Sequence, residues 1–233
     1  MIDASNEKFQ ELTSFIMERS YSFSDDGFYG PTVTKSNVLD YYELDLNNFY
    51  YHYSGQADNG VGYEIIYTYD NNSLYKFTTF TGNKRYSIHE LTEGLDAFKK
   101  QFLEDGGFYE LSSNGKNIGI TDFGHAAGYV SKEDLASFKT EYTSSNNDDL
   151  NIKCFLKTNN GGADKDVSID ATLIYSYKKS IVNSFDEKIV LRKDDKELSI
   201  KSTSKLIIKT VEHINPNKDE YTLVEDAETF ESF

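Results

Sequence analysis

The sequence predicts an α+β fold, a curved antiparallel β-sheet with amphipathic helices packed on one face. Three observations predict it. Long stretches alternate apolar and polar residues with a period of two, and short polar clusters cut them into hairpins. Shorter stretches repeat at helical spacing instead. The 233 residues include 18 Tyr and 16 Phe, too much sticky surface for a disordered acidic tail. Hairpins in sequence imply an antiparallel sheet, and apolar helix stripes must be buried on one of its faces. One domain over 1–233 takes this length, the alternative being a boundary at the polar run Asn146-Asn147-Asp148-Asp149.

The elements follow in order. Residues 5–19 read as a helix, with Phe9, Leu12, Phe15 and Ile16 on one stripe, Glu7, Lys8, Glu11 and Glu18 outside it, and Ser5 or Asn6 as cap. From about 21 to 90 the period is two. Tyr41 to Leu46 and Phe49 to Tyr53 are strands around a polar turn. Val61, Tyr63, Ile65, Tyr67 and Tyr69 then alternate with polar neighbours, followed by Tyr75, Phe77 and Thr79. A three-residue loop, Asn71-Asn72-Ser73, sets Tyr67 opposite Phe77 and Tyr69 opposite Tyr75.

Residues 92–105 read as a second helix with Leu95, Phe98, Phe102 and Leu103 on its stripe and Gly106-Gly107 as its stop. A helical turn is expected at Asp122 to Tyr129. A third helix starts at Ser131, whose Ser-Lys-Glu-Asp opening resembles a capping box before Leu135, Phe138 and Tyr142. Strands return from 150. The cleanest runs from Val167 to Tyr177, where odd residues are apolar and even ones mostly polar. In the last hairpin, an Asp194-Asp195 turn pairs Leu191 with Leu198, Ile189 with Ile200 and Arg192 with Glu197. The acidic tail after Pro216 is an edge strand or a loose end.

Composition and motifs exclude several functions. Lys and Arg number 24 against 39 Asp and Glu, and a net charge of −15 repels phosphate backbones, so no nucleic-acid partner is expected. A mean hydropathy of −0.60 leaves no membrane span. The lone Cys154 makes an internal disulfide or cysteine metal site impossible; its apolar surroundings predict a small buried hydrophobe. His52, His89, His125 and His213 show no helical zinc spacing. Asp122-Phe123-Gly124 lacks every other kinase element. The loops Asp25-Asp26-Gly27, 146–149 and 159–166 lack an EF-hand register, and turn chemistry explains their Asn, Asp and Gly. No catalytic residue, metal or cofactor is expected.

Helix, long hairpin run, central helical insert and second hairpin run resemble the half-barrel lipoprotein carriers, the LolA-like proteins and the mycobacterial LppX and LprG relatives. The resembling stretches are Phe49-Tyr50-Tyr51-His52-Tyr53, Val61 to Tyr69 with Leu74-Tyr75-Lys76-Phe77, and Val167 to Tyr177. The resemblance implies a half-barrel whose concave face, plugged by helices, holds acyl chains. It also implies secretion, with a lipid anchor in many members.

The N-terminus Met1-Ile2-Asp3-Ala4-Ser5-Asn6-Glu7 has no signal-peptide pattern. Abundant Tyr, Asn, Ser, Thr and Asp with only 2 Pro are read as an exported surface protein trimmed of its leader, meeting a membrane only through a missing N-terminal anchor; the alternative is a cytoplasmic protein. The expected function is a non-enzymatic carrier for an acyl chain or other amphiphile. Its ligand-binding residues are Tyr63, Ile65, Tyr67, Phe77, Leu95, Phe98, Phe102, Leu173, Tyr175 and Tyr177. The alternative is a filled-core interaction protein that meets protein or glycan through exposed Tyr strips.

Overall fold

A computed structural model describes residues 11–28, 32–57, 60, 62–104, 137–144, 149–161, 166–178 and 181–225. Among these residues twelve strands form one sheet: β1 Ser14–Asp25, β2 Val33–Asp45, β3 Tyr50–Ala57, β4 Gly62–Asp70, β5 Ser73–Phe80, β6 Asn83–Glu90, β7 Lys139–Ser144, β8 Asp149–Gly161, β9 Val167–Lys178, β10 Ile181–Lys193, β11 Lys196–Ile207 and β12 Thr222–Leu223. The strand order is β12-β6-β5-β4-β3-β2-β1-β11-β10-β9-β8-β7. Along that order β1 to β6 and β7 to β11 each run consecutively, as two meanders.

The α+β expectation is overturned. Among the described residues there is one α-helix, α1 (Leu95–Glu104), and a single 3-10 turn, Lys218–Glu220. The half-barrel with amphipathic helices along one face is replaced, among the described residues, by a nearly all-β structure. Two of the expected helices contain strand. In place of the helix at 5–19, residues from Ser14 onward are β1, and Phe15, Ile16 and Met17 are all buried in succession. A continuous apolar run of that kind suits a strand covered on both faces, and short apolar runs do not separate helix from strand. Of the helix expected from Ser131, residues 131–136 lie outside the described residues, and from Lys139 the chain is the strand β7, which pairs with β8. Phe138 and Tyr142 are four apart, a spacing that puts them on one face of a strand as well as of a helix. The helical turn at Asp122 to Tyr129 and the stop at Gly106-Gly107 lie outside the described residues.

The residues group into two compact units. One comprises Met1–Glu11, Arg19–Val38 and Tyr109–Leu206; the other comprises Leu12–Glu18, Leu39–Phe108 and Ile207–Phe233.

In the second unit, β4 and β5 are joined by a two-residue turn, not the expected three-residue loop. Asn71 and Asn72 both take left-handed φ angles, 48° and 62°, as a type I′ turn requires. Tyr67 therefore faces Lys76, Tyr69 faces Leu74, and Phe77 faces Ile66. Ile65 and Ile66 are both buried, so neither face of β4 is open there. On the Tyr67 face, Phe98 of α1 meets Phe49 edge-on at 4.9 Å, and Phe49 meets Tyr67 at 6.4 Å. On the Ile66 face, Ile16, Tyr50, Phe77 and Val211 close a core. The segment from 211 to 223 crosses this face as a strap. His213 stacks on Tyr50 at 4.5 Å, Tyr221 meets Phe77 edge-on, and β12 adds to β6 in parallel. Within the described part of the tail, Thr222 and Leu223 are thus an edge strand.

In the first unit, β9 alternates as its sequence predicts, with Val167, Ile169, Ala171, Leu173, Tyr175 and Tyr177 buried and the residues between them half-buried. The β10–β11 hairpin has the expected register: Leu191 faces Leu198, Ile189 faces Ile200 and Arg192 faces Glu197. Asp194 takes the left-handed φ of 55° that this turn needs. At the far end of β8, a side chain on Gly161 would collide with Ile169, which explains a glycine at that bulge. Cys154 lies on β8 as expected, yet it is half-buried rather than buried, with Thr140 Oγ1 3.8 Å from its Sγ.

Candidate functional site

Register decides which side chains share a face. On β9 to β11 the rows nearest the Asp194-Asp195 turn are aliphatic: Ile169, Leu191 and Leu198, then Ala171, Ile189 and Ile200. The next rows change character while staying buried. Leu173 lies beside Glu187 and Ser202, and Tyr175 beside Phe185 and Ser204. Ser202 donates to Glu187 Oε2 at 2.9 Å, and Arg19 Nε donates to Ser204 Oγ at 3.3 Å. Tyr177 follows, with its hydroxyl buried and without a hydrogen-bond partner. Burial pushes the Tyr177 hydroxyl up to about 12 and raises Tyr175 further, so both are neutral donors. One continuous face is therefore apolar at one end and polar at the other.

The expected ligand-binding residues fall into separate places. Leu173, Tyr175 and Tyr177 share the face just described. Tyr63, Ile65, Tyr67, Leu95, Phe98 and Phe102 belong to the other unit. There Tyr63 joins an aromatic ladder, Tyr42 to Tyr53 to Tyr63 to Phe80, at centroid distances of 5.0, 6.1 and 6.3 Å. Phe98 reaches Tyr67 through Phe49, and Phe102 lies toward the C-terminal end of α1. Phe77 is not their companion: the two-residue turn puts it on the opposite face, under Tyr221.

Sequence reasoning missed a second polar cluster, set on β2, β3 and β4. His52 Nδ1 is 3.1 Å from Glu43 Oε2, and Nε2 is 3.1 Å from Glu64 Oε1. Tyr41 donates to Glu43 Oε1 at 2.7 Å and meets the His52 ring edge-on. Burial disfavours the imidazolium, but the hydrogen bonds and charges of Glu64 and Glu43 outweigh it, so the His52 pKa is raised. The bond to His52 lowers that of Glu64 against its own burial. Tyr50 adjoins the cluster; burial pushes its hydroxyl up to about 12, and it closes no hydrogen bond of ordinary geometry despite Glu43 and the Ile214 backbone nearby. With both nitrogens engaged, His52 has no lone pair to offer as a general base. The only available signal was a His in an alternating Tyr run, with Glu43 and Glu64 on neighbouring strands.

No protein-family model matches the chain, and no curated protein matches it. Neither comparison supports a likeness to half-barrel carriers, and the helical elements of the layout that suggested one are largely replaced by strands among the described residues. Among the described residues, no group of three or more His, Cys, Asp and Glu side chains could hold a metal ion. No helix among them is long and apolar enough to cross a membrane.

Proposed function

We propose that the chain is an exported, non-enzymatic binding domain for an acyl chain or other amphiphile, held along the β9–β11 face. One observation carries this reading: that buried face runs from aliphatic rows at Ile169, Leu191 and Leu198 to polar rows at Glu187, Ser202, Ser204 and Tyr177. An amphiphile has the same asymmetry along its length. Buried polar groups are costly beside an all-apolar alternative, so a ligand head group gives them a purpose. The rival reading through exposed Tyr strips has less support, because Tyr42, Tyr50, Tyr51, Tyr175 and Tyr177 are turned inward.

Two measurements test it. Protein from its own host, examined by native mass spectrometry and lipid extraction, should carry a bound amphiphile. A fluorescent fatty acid should bind the wild type at micromolar concentration and fail to bind Leu173→Arg. Tyr177→Phe splits the outcome by sign. Removing a buried unpartnered hydroxyl should stabilise the empty protein by about 1 kcal/mol, while weakening a ligand that uses it. A wild type with neither bound lipid nor probe binding overturns the proposal.

A further inference from the structure

The strand β7 ends the sheet order, and among the described residues it pairs on one side only, with β8. Lys139, Thr140, Glu141, Tyr142 and Thr143 are all exposed, and Tyr142 is 66% accessible. An open edge is a template for another strand unless something blunts it. Its sequence around Thr140 has a particular symmetry. Reading outward, Thr140 is flanked by Lys139 and Glu141, and those by Phe138 and Tyr142.

We propose that β7 is a homodimer edge: a second copy of this chain adds its own β7 antiparallel, about a two-fold axis through Thr140. An axis normal to the sheet pairs residues of equal parity, so each face of the sheet continues into its like. Centred on Thr140, Lys139 of each copy faces Glu141 of the other, and Phe138 faces Tyr142. Two opposite-charge pairs and two aromatic pairs then form at once, around Thr140 against itself. Centring on Glu141 instead sets the two Glu141 carboxylates against each other. A lysine on an edge strand ordinarily discourages pairing; here its mate is a carboxylate in a single register. The Thr140 and Tyr142 face is also the face of Cys154 and Ile152 on β8, so dimerisation extends an apolar surface and covers Tyr142.

Sedimentation velocity over a concentration series tests this on the full chain. The wild type should show a monomer–dimer equilibrium. Glu141→Lys should weaken it roughly tenfold or more, because two attractive pairs become repulsive. The sign is diagnostic. That substitution makes an acidic chain two charges less negative, so general repulsion alone would strengthen association. Lys139→Glu combined with Glu141→Lys keeps the net charge and should restore the dimer. A covalent arm fixes the register. Thr140→Cys is made with Cys154→Ser, since the native thiol lies beside Thr140. The two introduced thiols then stand opposite each other at about 4.5–5.5 Å between Cα atoms, within disulfide reach. Glu141→Cys in the same background should not cross-link. A monomer at every concentration, a dimer indifferent to Glu141→Lys, or a dimer strengthened by it overturns the proposal.

Discussion

Carboxylates accept hydrogen bonds and cannot donate them, so His52 makes both of its bonds, to Glu43 and to Glu64, only as the imidazolium. That fixes the sign of a pH dependence. The folded pKa of His52 lies above its ordinary 6.5, so its stabilising contribution is complete below that value and is lost as pH rises through the raised one. Glu64 is shifted downward from 4.5, so its contribution is present above that value and lost as pH falls through the lowered one. Between 4.5 and 6.5 both are in force. Chemical denaturation of wild type and His52→Ala across pH should show the largest difference in that window, about 1–3 kcal/mol. The lower end is expected, because Glu64 is about a third exposed and water screens it. A difference that grows above neutral pH would contradict the charged pairing. Tyr50 and Tyr41 beside the ring have raised pKa values, chiefly through burial, and do not ionise in this range.

At the scale of the hairpin, the β4–β5 register makes a sharper claim than its burial pattern. Lys76 Nζ lies 5.6 Å from the Tyr67 ring centroid, directly across the ladder. A double-mutant cycle on Tyr67 and Lys76 should return a coupling of about 0.5–1 kcal/mol. The same cycle on Tyr67 and Phe77, which lie on opposite faces, should return almost none. The reverse pattern would restore the three-residue loop. Comparison of the two hairpins shows what the sequence made legible. Around Asp194-Asp195, two apolar pairs and one ion pair agree on one register, and shifting it breaks all three. Around Asn71-Asn72, tyrosines occur on both faces, so pairing preference is flat; only the left-handed φ of both asparagines selects the shorter turn. Helices misread for a related reason. Phe15 and Ile16 satisfy a helical stripe, but Tyr21 and Phe23 already alternate within the same strand. The helix α1 was legible because Leu95 and Phe98 have no competing period-two pattern; its expected start at 92 was early, since Gly94, with φ of 83°, precedes its first turn.

Over the whole molecule, the strap and the polar rows of the candidate face were hidden from the sequence for one physical cause: both depend on partners distant along the chain. His213 finds Asp45 at 2.9 Å and Arg19 finds Ser204, contacts that no local period encodes. Charge is different, because it sums without regard to position. A net charge of −15 loads the compact state with self-repulsion that salt screens over about 10 Å at 0.1 M. Opposing this, salt also weakens surface ion pairs such as Lys84–Glu220 at 2.7 Å, Arg192–Glu197 at 2.8 Å and Lys193–Asp166 at 2.6 Å. Exposed pairs of this kind contribute little and are readily screened. Acidic groups outnumber basic ones by 39 to 24, so most carboxylates that lack a cation gain from screening. The midpoint of thermal unfolding should therefore rise as sodium chloride is raised from millimolar to physiological strength. Lys84→Gln should steepen that rise by removing one salt-sensitive attraction and one positive charge. A midpoint that falls with salt would show that the surface pairs, rather than the overall field, govern the stability of this acidic chain.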